Sequence, residues 1–179
     1  KLVRKLLEQE KFRAPFTVKA LEKELYTSMN IKVNGKIREI RIGGIVDRID
    51  EENGITTVID YKTGSTALKT LSEKNYVKFW EGLSSDTNYK SSLQTMLYAY
   101  VLWLEDKEKK YNAGLYSVKN LKDGIKNVSD VAFEDGDMDR FTSVLKYILE
   151  DIFNTEKSFT QTENQENCSY CDFKSLCRR

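Results

Sequence analysis

Asp47, Asp60 and Lys62 are the residues whose types and spacing could do chemistry. They stand in two stretches rich in β-branched residues, Gly43–Asp50 and Val58–Gly64, separated by the polar Glu51-Glu52-Asn53-Gly54. Strand side chains alternate between faces, so Val58, Asp60 and Lys62 share one face. Likewise Ile45, Asp47 and Ile49 share a face, with Val46 and Arg48 on the other. If the two stretches pair as a hairpin centred near residue 53 or 54, Asp47 and Asp60 fall at mirrored positions and become cross-strand neighbours. Facing carboxylates repel unless a cation joins them. An acid set among Ile45, Ile49, Val58 and Ile59 costs on the order of several kcal/mol to bury unpaired, and a divalent metal is the simplest partner. The competing arrangement is an exposed ladder in which Asp47 and Asp60 pair with Arg48 and Lys62, which needs no metal.

Such a constellation requires a sheet. Apolar residues at Leu2, Val3, Leu6, Leu7 and Phe12 predict a helix over Lys1–Arg13, broken by Pro15. Between Ala20 and Val33, Leu21, Leu25 and Met29 fit a helix, while Tyr26, Ile31 and Val33 fit a strand. The hairpin signal Asn34-Gly35, followed by Ile37, Ile40 and Ile42, favours the strand. Ile37–Ile49 is then a second strand, Glu51–Gly54 a turn and Ile55–Tyr61 a third strand, a meander holding both acids. After Gly64, about 25 polar residues with Tyr76, Phe79 and Trp80 read as a helical insert or a mobile loop. Ser91–Glu105 has helical periodicity (Leu93, Met96, Leu97, Tyr100, Val101, Leu104) and ends in the charged run Glu105–Lys110. Tyr111–Val118 reads as a strand. Asp137–Phe153 reads as a helix, with Gly136-Asp137 at its start. Strands first, then helix, strand and helix, predict an α/β fold: a mixed central β-sheet flanked by α-helices, without internal repeats.

A chain of 179 residues, 40% hydrophobic, can bury one core, so residues 1–160 are expected to form one domain with 161–179 as a tail. Its 29 Lys+Arg nearly cancel its 28 Asp+Glu, and the formal charge of +1 gives no overall basic field. The longest strongly apolar stretch, Met96–Leu104, is far short of the roughly 20 residues of a membrane span. No signal pattern opens the chain, so a soluble cytoplasmic protein is expected. Beginning at Lys1 within helix-forming sequence, it reads as a piece of a longer polypeptide. With no histidine, Ser-His and Cys-His nucleophiles and His-ligated zinc are excluded. The three cysteines crowd into the C-terminus, which suits a metal site in a reducing compartment better than a disulfide framework.

Gly43-Gly44-Ile45-Val46-Asp47-Arg48-Ile49-Asp50 followed by Val58-Ile59-Asp60-Tyr61-Lys62-Thr63-Gly64 closely resembles the RecB-like branch of the PD-(D/E)XK nuclease superfamily. In that branch a GxxDRID strand precedes a DYKTG strand by a similar distance. Leu93-Gln94-Thr95-Met96-Leu97-Tyr98 resembles the branch's Gln-x-x-x-Tyr helix, and Glu22, within Phe16–Glu22, matches a glutamate found upstream. The resemblance spans about Phe16–Tyr100 and implies a restriction-endonuclease-like fold and a Mg²⁺- or Mn²⁺-dependent deoxyribonuclease. Asp47, Asp60 and the Tyr61 backbone carbonyl would ligate metal, and Lys62 would face the attacking water. Gln94 and Tyr98, four apart on one helix face, would contact the DNA backbone or brace the site. Without the family, Tyr98 reads as a core aromatic and Gln94 as a helix-surface residue. Arg48 and Asp50 fit structural pairing.

Cys168, Cys171 and Cys177 form a C-x2-C-x5-C array resembling the last three cysteines of AddB-type nuclease domains. In those domains a distant upstream cysteine completes a [4Fe–4S] cluster, which needs four thiolates. A three-thiolate zinc site and a purely structural C-terminal plug are the alternatives. The family also often supplies a histidine metal ligand, and this chain has none. The resemblance therefore implies an exonuclease or end-processing nuclease in DNA repair or recombination, coupled to a helicase or recombination partner. A catalytically weak DNA-binding scaffold is the rival. A restriction-type endonuclease is disfavoured, because those lack the Gln-x-x-x-Tyr helix and cysteine tail as a set.

Overall fold

The computed structural model describes residues 2–64, 68–158, 160–169 and 171–178. Helix α1 (Leu2–Arg13) leads into the hairpin of β1 (Thr17–Val33) and β2 (Lys36–Glu52), and β3 (Ile55–Lys62) follows. Both tight turns use residues that tolerate positive φ: Asn34 (51°) and Gly35 (77°), then Asn53 (51°) and Gly54 (76°), as two-residue hairpins require. The polar run expected to be turn from Glu51 is therefore strand through Glu52. After β3 the chain forms α2 (Tyr76–Ser85) and α3 (Lys90–Glu105), then β4 (Lys110–Ser117), β5 (Ile125–Asn127) and α4 (Asp135–Phe153).

The five strands lie in the order β1-β2-β3-β4-β5. All neighbours are antiparallel except β3 and β4, whose parallel pairing (Ile55↔Lys110 to Lys62↔Ser117) requires the long α2–α3 crossover. This is the expected mixed sheet flanked by helices. β5, three residues long, is too short to leave an alternation signal. The expected insert after Gly64 resolves into α2 and short turns; its residues 65–67 lie outside the described ones. Helix α4 begins at Asp135, two residues earlier than expected, with the Asp137 carboxylate accepting from the Glu134 N–H at 3.1 Å. Among the described residues, no helix is long and apolar enough to cross a membrane.

The two sheet faces have different cores. Val46, Ile49 and Val58 join Met96, Ala99 and Val101 of α3 and Phe141 of α4 in the main cluster. On the opposite face Ile59, Tyr116 and Leu121 form a smaller cluster against Leu6 of α1. β1 is one of the sheet's two edge strands, β5 the other. Near the end of β1 the Lys32 N–H is capped by Glu150 Oε1 of α4 at 3.1 Å.

Strict alternation along β2 does not hold. Val46 and Ile49 share the main core, whereas Ile45, expected on the Ile49 face, is 52% exposed. The phase changes around Asp47. Opposite it on β1, between the pairs Leu21↔Arg48 and Lys23↔Val46, Glu22 takes a left-handed φ of 51°. On the other side the β2–β3 ladder ends at Arg48↔Ile59. β2 thus bends away from β3 at Asp47 and re-aims its side chains. Further along, Gly43 (φ 138°) sits where a Cβ would come 2.0 Å from the Leu25 carbonyl oxygen. Gly43→Ala is therefore expected to destabilise the protein by about 2–3 kcal/mol, measured as a lower urea midpoint with unchanged m-value.

Candidate active site

Because β3 alternates without interruption, Val58, Asp60 and Lys62 point to the α3 face as the sequence predicts, and Ile59 and Tyr61 to the α1 face. Asp60 is 7% exposed. Lys62 Nζ lies 2.7 Å from Asp60 Oδ2 and donates to Gln94 Oε1 on α3 at 3.1 Å. Gln94 Nε2 in turn stands 3.5 Å from the Tyr98 hydroxyl, a weak contact. Tyr98 is buried, and β2 can approach it because residue 44 is glycine. A Cβ there would meet the Tyr98 hydroxyl at 2.9 Å. Asp60, Lys62, Gln94 and Tyr98 thus form one chain of contacts across the sheet–helix boundary.

Asp47 closes the site from β2. Its register continues the β2–β3 ladder to a position opposite Asp60, yet the strands have parted there. Instead the Asp47 side chain spans the gap, and Oδ2 accepts the Tyr61 backbone N–H at 2.7 Å. A strand residue's N–H and C=O point the same way. The Lys62 carbonyl faces β4, where it accepts from the Val118 N–H at 2.9 Å, so the Tyr61 carbonyl faces the gap beside Asp47.

Burial pushes the Asp60 carboxyl above the usual carboxylate range. The Lys62 contact pulls it part of the way back, and the nearby Asp47 charge adds to the rise. The Lys62 ammonium is the cation that faces this buried carboxylate, at Oδ2. Folding thus holds the Asp60 proton more tightly than the unfolded chain does. This group's contribution to stability falls as pH rises from the ordinary carboxylate pKa through the raised one. Asp60→Asn is accordingly expected to raise Tm at neutral pH in metal-free buffer. The rise should be about 2–4 °C per kcal/mol of relieved burial cost and should vanish at acidic pH. A scanning-calorimetry series over pH checks it.

A buried carboxylate that feels the charge of a second one nearby, with one lysine to offset the two, fits a hard divalent cation. Among the described residues, no three His, Cys, Asp or Glu side chains converge as a ligand group. Two carboxylates then leave the remaining positions to a backbone carbonyl, water and substrate oxygen, the usual manner of Mg²⁺. The residues present fit such an ion. Glu22 stands across β1–β2 from Asp47, but its side chain is exposed and makes no described hydrogen bond or ion pair. Glu22 therefore meets the site through its backbone position opposite Asp47, not through a described side-chain bond. Cys168, Cys171 and Cys177 are free and half-buried; Tyr170 between them lies outside the described residues. Three thiolates are one short of the usual iron–sulfur set, so the residues present do not complete a cluster.

Of the competing exposed salt-bridge ladder, only the Asp60–Lys62 pair forms, and its acid is buried. Arg48 turns to the α1 face. Its Nε and Nη2 donate to Asp50 Oδ1 at 2.7 Å and Oδ2 at 2.8 Å, Nη2 also to Glu10 Oε2 at 2.8 Å, and Nη1 to the Tyr61 hydroxyl at 3.0 Å. Arg13 also binds Asp50. Burial works against the Arg48 charge, but its bonds to Asp50, Glu10 and Tyr61 outweigh this and raise its pKa. Structural pairing of Arg48 with Asp50 was legible; the share taken by Glu10, Arg13 and Tyr61 was not. A cavity of about 420 Å³, lined in part by Glu10, Arg13, Asp50, Ile59 and Tyr116, opens on this face, away from the Lys62–Gln94 contact.

No curated protein matches the chain. Among solved structures it is similar to that of SSO0001, at 17% identity over 98% of this chain and 67% of the other, with a TM-score of 0.37. The model of the PD-(D/E)XK nuclease superfamily matches residues 1–178, essentially the whole chain. Asp60-Tyr61-Lys62 spells that family's (D/E)-x-K, with its acid and lysine on one strand face. On the extent of that match, the chain belongs to the PD-(D/E)XK nuclease superfamily.

Proposed function

We propose that this chain is a metal-dependent deoxyribonuclease of the RecB-like branch, hydrolysing phosphodiester bonds from DNA ends in repair or recombination. The observation that carries the proposal is the Asp60–Lys62–Gln94 contact chain, with the buried Asp60 carboxylate beside Asp47. Asp47, Asp60 and the Tyr61 carbonyl would hold one or two Mg²⁺ or Mn²⁺ ions. The bound ion would lower the pKa of the attacking water and polarise the scissile phosphate. Lys62 Nζ, steered by Gln94 Oε1 and Asp60, donates toward the attacking water or a phosphate oxygen and offsets charge gathering on the phosphoryl group. Gln94 and Tyr98 hold that lysine and line the approach of the DNA backbone.

Residues 1–160 would be the nuclease domain. The tail from 161 to 179 would contribute three of four thiolates to a [4Fe–4S] cluster, the fourth coming from outside these residues. A fused or bound helicase and a cytoplasmic setting complete the proposal. The test is degradation of end-labelled linear DNA against closed circular DNA, with Mg²⁺ or Mn²⁺ and with chelator. Metal-dependent loss of linear DNA alone is expected, and no loss under any of these conditions sinks the assignment. The alternative, a catalytically weak DNA-binding scaffold, is favoured by the absence of histidine and, among the described residues, of a third carboxylate at the site. Calorimetry with Mn²⁺ separates the two, since a scaffold shows no Asp60-dependent binding.

A further inference from the structure

The α1-side charge network has no part in the chemistry proposed above, yet one of its bonds ends on the residue that faces the metal gap. Arg48 leaves β2 at the last rung of the β2–β3 ladder, where Asp47 and Asp60 come next and the strands separate. Without ladder bonds, two contacts span the opening at Tyr61. On the metal side its N–H is held by Asp47 Oδ2 at 2.7 Å. On the reverse side its hydroxyl accepts from Arg48 Nη1 at 3.0 Å. The Tyr61 ring is also packed, stacked on Tyr116 with centroids 5.7 Å apart and planes at 25°. The guanidinium that grips it is itself immobilised by both oxygens of Asp50 and by Glu10 of α1, with its carbon 5.2 Å from the Phe16 ring centroid.

We propose that Arg48, seated by Glu10 and Asp50, is a positioning residue for the metal site. By holding the Tyr61 hydroxyl it fixes the Tyr61 peptide, and with it the Asp47 carboxylate and the Tyr61 carbonyl. The proposal rests on the nuclease reading of the site. It gives α1 a role although α1 lies on the other side of the sheet from Lys62 and Gln94. Outer-shell partners of metal ligands commonly change metal affinity by roughly 10–100-fold, and this brace works one residue removed, at the low end.

The test is Mn²⁺ calorimetry on the purified chain, with Tm recorded for each variant. Tyr61→Phe deletes only the gripped hydroxyl and is expected to weaken Mn²⁺ binding roughly tenfold. Tyr116→Phe, which deletes the hydroxyl of the stacking partner instead, is expected to leave it unchanged. Glu10→Ala is expected to weaken binding in the wild-type background and to add nothing in the Tyr61→Phe background, because it acts through the same hydroxyl. Its cost in Tm should persist in both. Equal Mn²⁺ affinity of Tyr61→Phe and wild type overturns the brace. So does an equal loss in Tyr116→Phe, or a Glu10→Ala loss of the same size in both backgrounds. If Asp60→Asn leaves Mn²⁺ binding untouched, or the wild type binds none, the nuclease reading itself fails, and the brace with it.

Discussion

Replacing Asp60 or Lys62 by alanine is expected to reduce metal-dependent cleavage of linear DNA on the order of a thousandfold or more, without unfolding the protein. The two losses arise differently. Asp60 is a proposed metal ligand, so Asp60→Ala should also abolish Mn²⁺ binding, and higher metal concentrations should restore little. Lys62 contacts Asp60 and Gln94 and, as an ammonium, would not ligate the metal, so Lys62→Ala should keep most Mn²⁺ affinity while losing the transition-state charge. The expected signature is a fall in kcat with KM nearly unchanged. Removing an acid that burial disfavours should not weaken the fold. Full cleavage by either variant removes the pair from the mechanism.

Arg48→Ala is expected to be the most destabilising substitution in the sheet, costing about 3–5 kcal/mol and of the order of 10 °C in Tm. Asp50, 1% exposed, would keep only Arg13 as a partner, and Glu10 would lose its short bond to Arg48. A buried carboxylate stripped of one cation costs more than the intact pair contributes, so the asymmetry is large. Arg48→Met restores apolar packing but leaves Asp50 and Glu10 with Arg13 alone, and should recover only a minor part. A loss in urea denaturation below about 1 kcal/mol would place Arg48 among ordinary surface ion pairs.

Most of the sheet and the α3 side of the site were legible because their signals are local. Asn34-Gly35 and the alternation of Val58, Asp60 and Lys62 fix a turn and a face from a few neighbouring residues. That Gln94 and Tyr98, four apart, share a helix face follows from periodicity; their place at the site came from the family resemblance alone. What stayed hidden depends on contacts between residues distant in the chain. Glu10 and Arg13 look like an ordinary charged helix face, and nothing local announces that they meet Arg48 and Asp50 beneath the sheet. The rephasing of β2 was invisible for a related reason. It arises where Glu22 adopts a left-handed backbone against Asp47, a conformation uncommon for glutamate and without a sequence signature. The same bend leaves Ile45 half exposed while Val46 joins the core, the reverse of simple alternation. β5 was missed because three residues are too few to show a repeated alternation.

The edge strand β1 has a further consequence, for solubility. Seventeen residues of β1 form an edge whose unpaired peptide groups could template a foreign strand, and a long flat edge of this kind invites chain-to-chain aggregation. Here the edge is interrupted. The register shifts between Val18 and Ala20, the backbone turns left-handed at Glu22, and the Glu150 carboxylate occupies the Lys32 N–H. An incoming strand would find only the stretch between Glu22 and Lys32 open, with Lys23 and Glu24 at one end of it. The bend that sets Asp47 apart from β3 therefore also helps keep neighbouring molecules from zipping together.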